Sequence, residues 1–178
     1  METFRYAKAT IVLFAILMLV NGASAQQKTL PAYISAKHQQ VLQRWLKREP
    51  ELRVATDDDC GRCGDDIGNQ KKISGRDYHP YYAVGDFNGD GREDFAVALI
   101  EIEESGERAM QKFVVAVFNA PFSSRRAEPS FMKDNLNLRD GGMFFGPPKS
   151  KPFRLSIGLF ANDSGLTLIP RGRRYLAK

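Results

Sequence analysis

"YYAVGDFNGDGREDFAVALIE", residues Tyr81 to Glu101, decides how the chain is read. Two apolar runs rich in β-branched and aromatic residues flank a polar, glycine-bearing centre. Runs of this kind bounded by turn residues read as strands. Tyr81 to Phe87 is therefore expected as one strand and Asp94 to Glu101 as the next. Between them, Asp86, Asn88, Asp90 and Asp94 stand two or four residues apart. A solvated turn needs no such regularity, and like charges this close repel, so something should neutralise them.

Working outward, Ala32 to Glu49 is helical in pattern. Tyr33, Ile34, Val41, Leu42, Trp45 and Leu46 fall on one stripe, the spacing of an amphipathic helix. Lys37, Gln40, Gln43, Arg44 and Lys47 face away. Arg44, Lys47 and Arg48 suit the negative end of the helix dipole, and Pro50 marks the stop. Residues 51–79 read as irregular. After the opening pair of strands, Glu103 to Gly106 reads as a turn and Lys112 to Asn119 as the most hydrophobic strand. Pro121 to Pro152 is less regular, with a short element near Phe131. Arg154 to Phe160 alternates with Leu155, Ile157 and Leu159 on one face. Asn162 to Gly165 reads as a hairpin turn, Leu166 to Ile169 returns, and Tyr175-Leu176 closes the sheet. A helix followed by strands, without βαβ alternation, implies an α+β fold: an N-terminal helix packed on an antiparallel sheet.

The first 25 residues have a different character. Arg5 and Lys8 precede the apolar run ATIVLFAILMLV, and Ala23-Ser24-Ala25 gives a small-x-small ending. This is the layout of a secretory signal peptide cut after Ala25. The run is shorter than the ~20 residues that a bilayer span needs. The expected product is residues 26–178, secreted or periplasmic, a single domain and a monomer without a stable membrane span. The formal charge of +5 falls to +4 without Glu2, Arg5 and Lys8, and the basic excess gathers at Arg125-Arg126 and Arg171 to Arg174. Such patches can attract anions, but an exported chain seldom meets nucleic acid, so none is expected as a partner.

Cys60 and Cys63 stand in "ATDDDCGRCGDDIGN". Export favours a local disulfide. A redox pair is the second reading, but such motifs close a strand and open a helix, whereas this one reads as an acidic loop. The surrounding aspartates would raise a thiol pKa, which disfavours an active thiolate. Together with His38 and His79 the cysteines also meet the ligand count of a Cys₂His₂ zinc site, though not the histidine spacing of known fingers. His38 lies at the border of the helix stripe. No nucleophile elbow, His-x-x-x-His helix or phosphate loop is present, so no catalytic residue is assigned. Phe144-Phe145 reads as a loop tucked onto the core or as an aromatic lip for a protein or glycan partner.

The regular spacing of the central loop suits Ca²⁺, which takes six to eight oxygen ligands. Asp86, Asn88 and Asp90 occupy positions one, three and five, the Arg92 carbonyl position seven and Asp94 position nine, with Gly89 and Gly91 easing the turn. An EF-hand needs Glu at position twelve, and Val97 stands there. "DFNGDGREDFAVAL" instead closely resembles the calcium-loop repeat of FG-GAP and VCBS proteins, found in integrin-type propeller blades. The resemblance implies a strand–loop–strand turn at 84–97 with Asp86, Asn88, Asp90, Arg92 through its carbonyl, and Asp94 as ligands. It covers one repeat, whereas a propeller needs about four to eight blades. The preceding LQRWLKREPELRVATDDDC resembles small exported bacterial proteins of unknown role that carry one such loop. The expected function is a calcium-binding domain with a structural site and a binding or structural role. A thiol-disulfide oxidoreductase on Cys60 and Cys63, or an inhibitor- or immunity-type partner protein, are the alternatives.

Overall fold

The computed structural model describes residues 29–61, 63–102, 112–122, 127–146, 151–161 and 165–178. The expected signal peptide lies outside the described residues, as do the turn at 103–106 and most of the turn at 162–165. Among the described residues, no helix is long and apolar enough to cross a membrane.

Helix α1 (Ala36–Leu46) starts where Ser35 offers its hydroxyl to the His38 N–H, an N-cap that satisfies one otherwise orphaned donor. Strand β1 (Leu52–Val54) follows, then a single 3-10 turn (Asp57–Asp59) and helix α2 (Gly64–Ser74). The strands after it are β2 (Tyr82–Gly85), β3 (Asp94–Glu101), β4 (Phe113–Phe118), β5 (Phe131–Leu136), β6 (Gly141–Phe144), β7 (Ser156–Leu159), β8 (Gly165–Arg171) and β9 (Arg174–Ala177).

The fold is α+β, and it contains two antiparallel sheets where one is expected from the pattern of strands. The first has the order β1-β3-β4-β5, with β2 sharing the β1 edge of β3; the second runs β6-β7-β8-β9. β1 meets the far end of β3, Leu52 opposite Glu101, and β2 meets its near end, Gly85 opposite Asp94. One long strand thus carries two short ones, and the Asp86–Glu93 loop closes the β2–β3 hairpin.

The apolar runs of β3 and β4 have a simple cause: both faces of this pair are buried. Side chains alternate across a strand. Phe95, Val97 and Leu99 of β3, with Val114, Ala116 and Phe118 of β4, pack against Val41, Leu42 and Trp45 of α1. Ala96, Ala98, Ile100, Phe113, Val115 and Val117 face the other way, onto Met143, Ile157 and Leu168 of the second sheet. The layers are helix, sheet, sheet. Small residues dominate the inward β3 positions, and the Phe113 ring lies against Tyr81, centroids 5.2 Å apart. Phe145, just after β6, packs on Phe87 and rests so close to Gly85 that a Cβ there would fall 2.2 Å from its ring. Phe144 stacks on Tyr78. Both rings are half-buried, so the pair is tucked onto the protein rather than held out as a lip.

Helix α2 replaces what the sequence suggests is irregular chain. It buries no residue, so it carries no apolar stripe; its acids Asp65 and Asp66 stand in the first turn and Lys71 and Lys72 in the last, the arrangement that complements the helix dipole.

Trp45 is 1 % exposed beneath Phe118. Trp45→Ala should cost about 3–5 kcal/mol, the usual toll for a large core aromatic. Leu176→Ala, at an exposed β9 position, should change stability by less than ~0.5 kcal/mol. Urea unfolding of the two variants checks the difference.

Candidate functional site

The β2–β3 loop and the first residue of β3 hold the five residues singled out in the sequence. The half-buried Asp86 accepts three backbone N–H groups: Gly89 at 2.7 Å and Asp90 at 3.0 Å on Oδ1, and Gly91 at 2.9 Å on Oδ2. Asn88 Oδ1 accepts from Asp90 N at 2.8 Å, and Asp90 Oδ1 from Arg92 N at 2.9 Å. Gly89 and Gly91 have φ of 78° and 80°, in the left-handed region that side chains with a Cβ resist. The alternating acidic and amide residues therefore fold the loop by capping its own amides.

Asp94 differs from the rest. It is fully buried at the first position of β3. Its Oδ2 accepts from Phe87 N at 3.1 Å, closing the base of the loop, and its Oδ1 accepts from Ala120 N at 2.8 Å, tying the loop to the chain after β4. Burial pushes its carboxyl above the usual range, opposed by backbone donors at Ala120, Asn88 and Phe87, while the charge of Asp90 pushes it further up. Next to this tie, Tyr175 of β9 donates to Asn119 Oδ1 at 2.7 Å. Burial raises the Tyr175 phenol, and the negative charges of Asp94, Asp90 and Asp86 add to the effect. The last strand thus brings a ring to the loop, a neighbour that nothing in the local sequence marks.

Among the described residues, no cationic side chain forms an ion pair with Asp86, Asp90 or Asp94. Nor is any group of three or more His, Cys, Asp or Glu side chains gathered as a metal cluster. The loop oxygens are spread along the chain as hydrogen-bond acceptors. The donor set is nevertheless all oxygen, the chemistry of a hard cation. An ionised carboxylate has about four lone-pair sites, so the N–H bonds leave acceptor capacity, and the residues fit Ca²⁺ on chemistry.

The two histidines and two cysteines do not converge. Cys60 and Cys63 form a disulfide with Cα atoms 5.6 Å apart. Cys63 is the N-cap of α2, so the pair does open a helix, contrary to the loop expected there. It follows a 3-10 turn rather than a strand. Cys63 is 1 % exposed, which shields its sulfur. His79 instead pairs with Asp57, Nδ1 to Oδ2 at 3.0 Å, and stacks on Tyr33 with centroids 3.6 Å apart.

His38 lies in the interior rather than at the border of the helix stripe. It is stacked 4.2 Å from Phe95 and bonded through Nδ1 to Tyr82 Oη at 2.6 Å. Its Nε2 has no hydrogen-bond partner and stands 3.8 Å from Glu93 of the loop. Helix, sheet and loop meet at this ring.

Comparison with protein families, curated proteins and solved structures finds no match to this chain.

Burial, followed by the charge of Lys37, lowers the His38 pKa from 6.5 to about 4. A depressed histidine makes the unfolded chain the better proton binder between those values, so its contribution is intact above pH 6.5 and is lost as pH falls towards 4. The full loss is on the order of 3 kcal/mol. Denaturant unfolding at pH 7, 5.5 and 4 should show the decline, and NMR titration of the His38 ring should give a midpoint well below that of a free imidazole.

Proposed function

We propose that this protein is an exported calcium-binding domain in which the Asp86–Asp94 loop takes a Ca²⁺ ion that stiffens the β2–β3 hairpin. The carrying observation is the charge balance: four carboxylates lie within nine residues, and among the described residues no cationic side chain pairs with three of them, Asp86, Asp90 and the wholly buried Asp94, whose pKa is raised. A divalent cation supplies the missing charge. Asp86, Asn88, Asp90 and Asp94 would hold it by side-chain oxygens and Arg92 by its carbonyl, in keeping with the resemblance to FG-GAP and VCBS loops. Bound there, the ion would supply positive charge that neutralises the loop carboxylates. Asp94 passes that effect inward, because it already binds the amides of Phe87 and Ala120. The domain's role is binding or structural, outside the cell, where calcium is plentiful. Affinities on the order of 10⁻⁴–10⁻³ M suit extracellular modules.

A second reading has one observation in its favour. Cys63 caps α2, and a helix N-terminus lowers a thiol pKa, as a thiol-disulfide oxidoreductase requires. The burial of Cys63 and the aspartates at 57–59 and 65–66 weigh against it. Such an enzyme loses dithiol turnover in Cys60→Ala, whereas a structural bridge shows no turnover to lose.

The calcium reading is tested by thermal unfolding with Ca²⁺ and with chelator. Calcium at 100 times its Kd should add about 2.7 kcal/mol, and Asp90→Ala should abolish the response. A titration without heat, together with unfolding indifferent to chelator, overturns it.

A further inference from the structure

A cavity of about 450 Å³ opens on the other side of β2, between that strand, the end of α2 and the residues after it, and the segment around β6. It shares no residue with the acidic loop. Tyr33, Asp77, Tyr78, His79, Tyr82 and Phe145 form much of its wall. Its volume is that of a small-molecule site, which typically measures ~300–1,000 Å³.

The polar side chains in this wall are the hydroxyls of Tyr33, Ser74, Tyr78 and Tyr82, which donate as well as accept, the Asp77 carboxylate and the His79 ring. Tyr33 Oη and Tyr78 Oη are buried and have no hydrogen-bond partner, a state that costs free energy until a partner arrives. Asp77 contributes an exposed carboxylate, an acceptor only. His79 is held by the Asp57 carboxylate at Nδ1. Among the described residues, no Lys or Arg lines the cavity. The surrounding field is negative as well: the Tyr33 phenol is raised first by burial and then by Asp57, Asp59 and Asp58, and that of Tyr78 by burial, Tyr81 and Asp57. Charges that disfavour a phenolate favour a cation at the same place. Aromatic rings in the wall add their own attraction for a cation.

We propose that this cavity binds a small ligand through a primary ammonium group, drawn by the Asp77 carboxylate and the aromatic rings of the wall. Asp77 provides the countercharge, and the rings of Tyr33, Tyr78, Tyr82 and Phe145 provide the aromatic wall. An amino sugar, an alkylamine or a lysine side chain presents the same group. The site rests on residues independent of the calcium loop, so either can fail without the other.

The test is NMR and calorimetric titration of the full domain with three probes: glucosamine, n-propylammonium, and a lysine tripeptide blocked at both ends. Glucose and acetate serve as controls. The expected result is saturable binding of at least one ammonium probe, with amide shifts centred on residues 74–79 and 82–84. Asp77→Asn, at an exposed position that should leave folding intact, should weaken binding tenfold or more. The differences among the three probes identify the source of the ammonium group. Binding of glucose as tight as that of glucosamine overturns the proposal in favour of a neutral sugar site. Absence of binding by all three probes to the folded protein overturns it outright, as does an Asp77→Asn variant that binds as the parent does.

Discussion

The β3–β4 pair sets the terms for everything around it. Six consecutive registers join the two strands, from Phe95 opposite Phe118 to Ile100 opposite Phe113. Every residue in that span is buried, on one face by α1 and on the other by the second sheet. A strand that alternates strictly cannot slip by one place without exchanging its two faces. Here the exchange would put Phe95, Val97 and Leu99 where Ala96, Ala98 and Ile100 now meet the second sheet. The size difference between the faces therefore fixes the register. The register in turn fixes where β3 begins, and so where the acidic loop must end.

Asp94 is the consequence of that position. It is the first residue of β3 and the only carboxylate among the fully buried described residues. A buried charge is tolerated when it is hydrogen-bonded, and Asp94 is bonded on both oxygens to backbone amides from separate segments. The cost of its burial is set against a loop closed at its base and fastened to the chain after β4. His38 makes the parallel link from the helix side, between Tyr82 and the neighbourhood of Glu93. The loop is therefore tied both to the first sheet and to the helix that covers it.

Much of this was legible in the residues. The sequence pattern marks β3 at its observed limits and β4 within a residue at each end, because doubly buried strands show as unbroken apolar runs. The stripe from Ile34 to Trp45 revealed α1 and the face it buries. Other elements lacked such a signal. α2 buries nothing, so no periodicity marks it, and its charge polarity was the only trace. β6 begins Gly141-Gly142 because the Gly158 backbone and Tyr78 approach too closely for side chains, and glycine pairs read as turn rather than strand. Without β6, the division into two sheets could not be seen. The acidic loop was located residue by residue, but its use of carboxylates as amide acceptors was not foreseen. The pairing of Asp57 with His79 joins residues 22 apart across a helix, which no local spacing reports. The bond from Tyr175 to Asn119, beside the anchor of Asp94, comes from the closing strand of the other sheet, which no local spacing reports either.

The central claim is that the repulsion within Asp86–Asp94 is relieved by a divalent ion whose effect reaches Asp94. Backbone amide NMR during a calcium titration tests it most directly. The account predicts saturable shifts for residues 86–94 that extend through Asp94 to Phe87 and Ala120, with the far edges of both sheets unmoved. Amide signals of the loop that stay in place at millimolar calcium, in a protein shown to be folded, would contradict it.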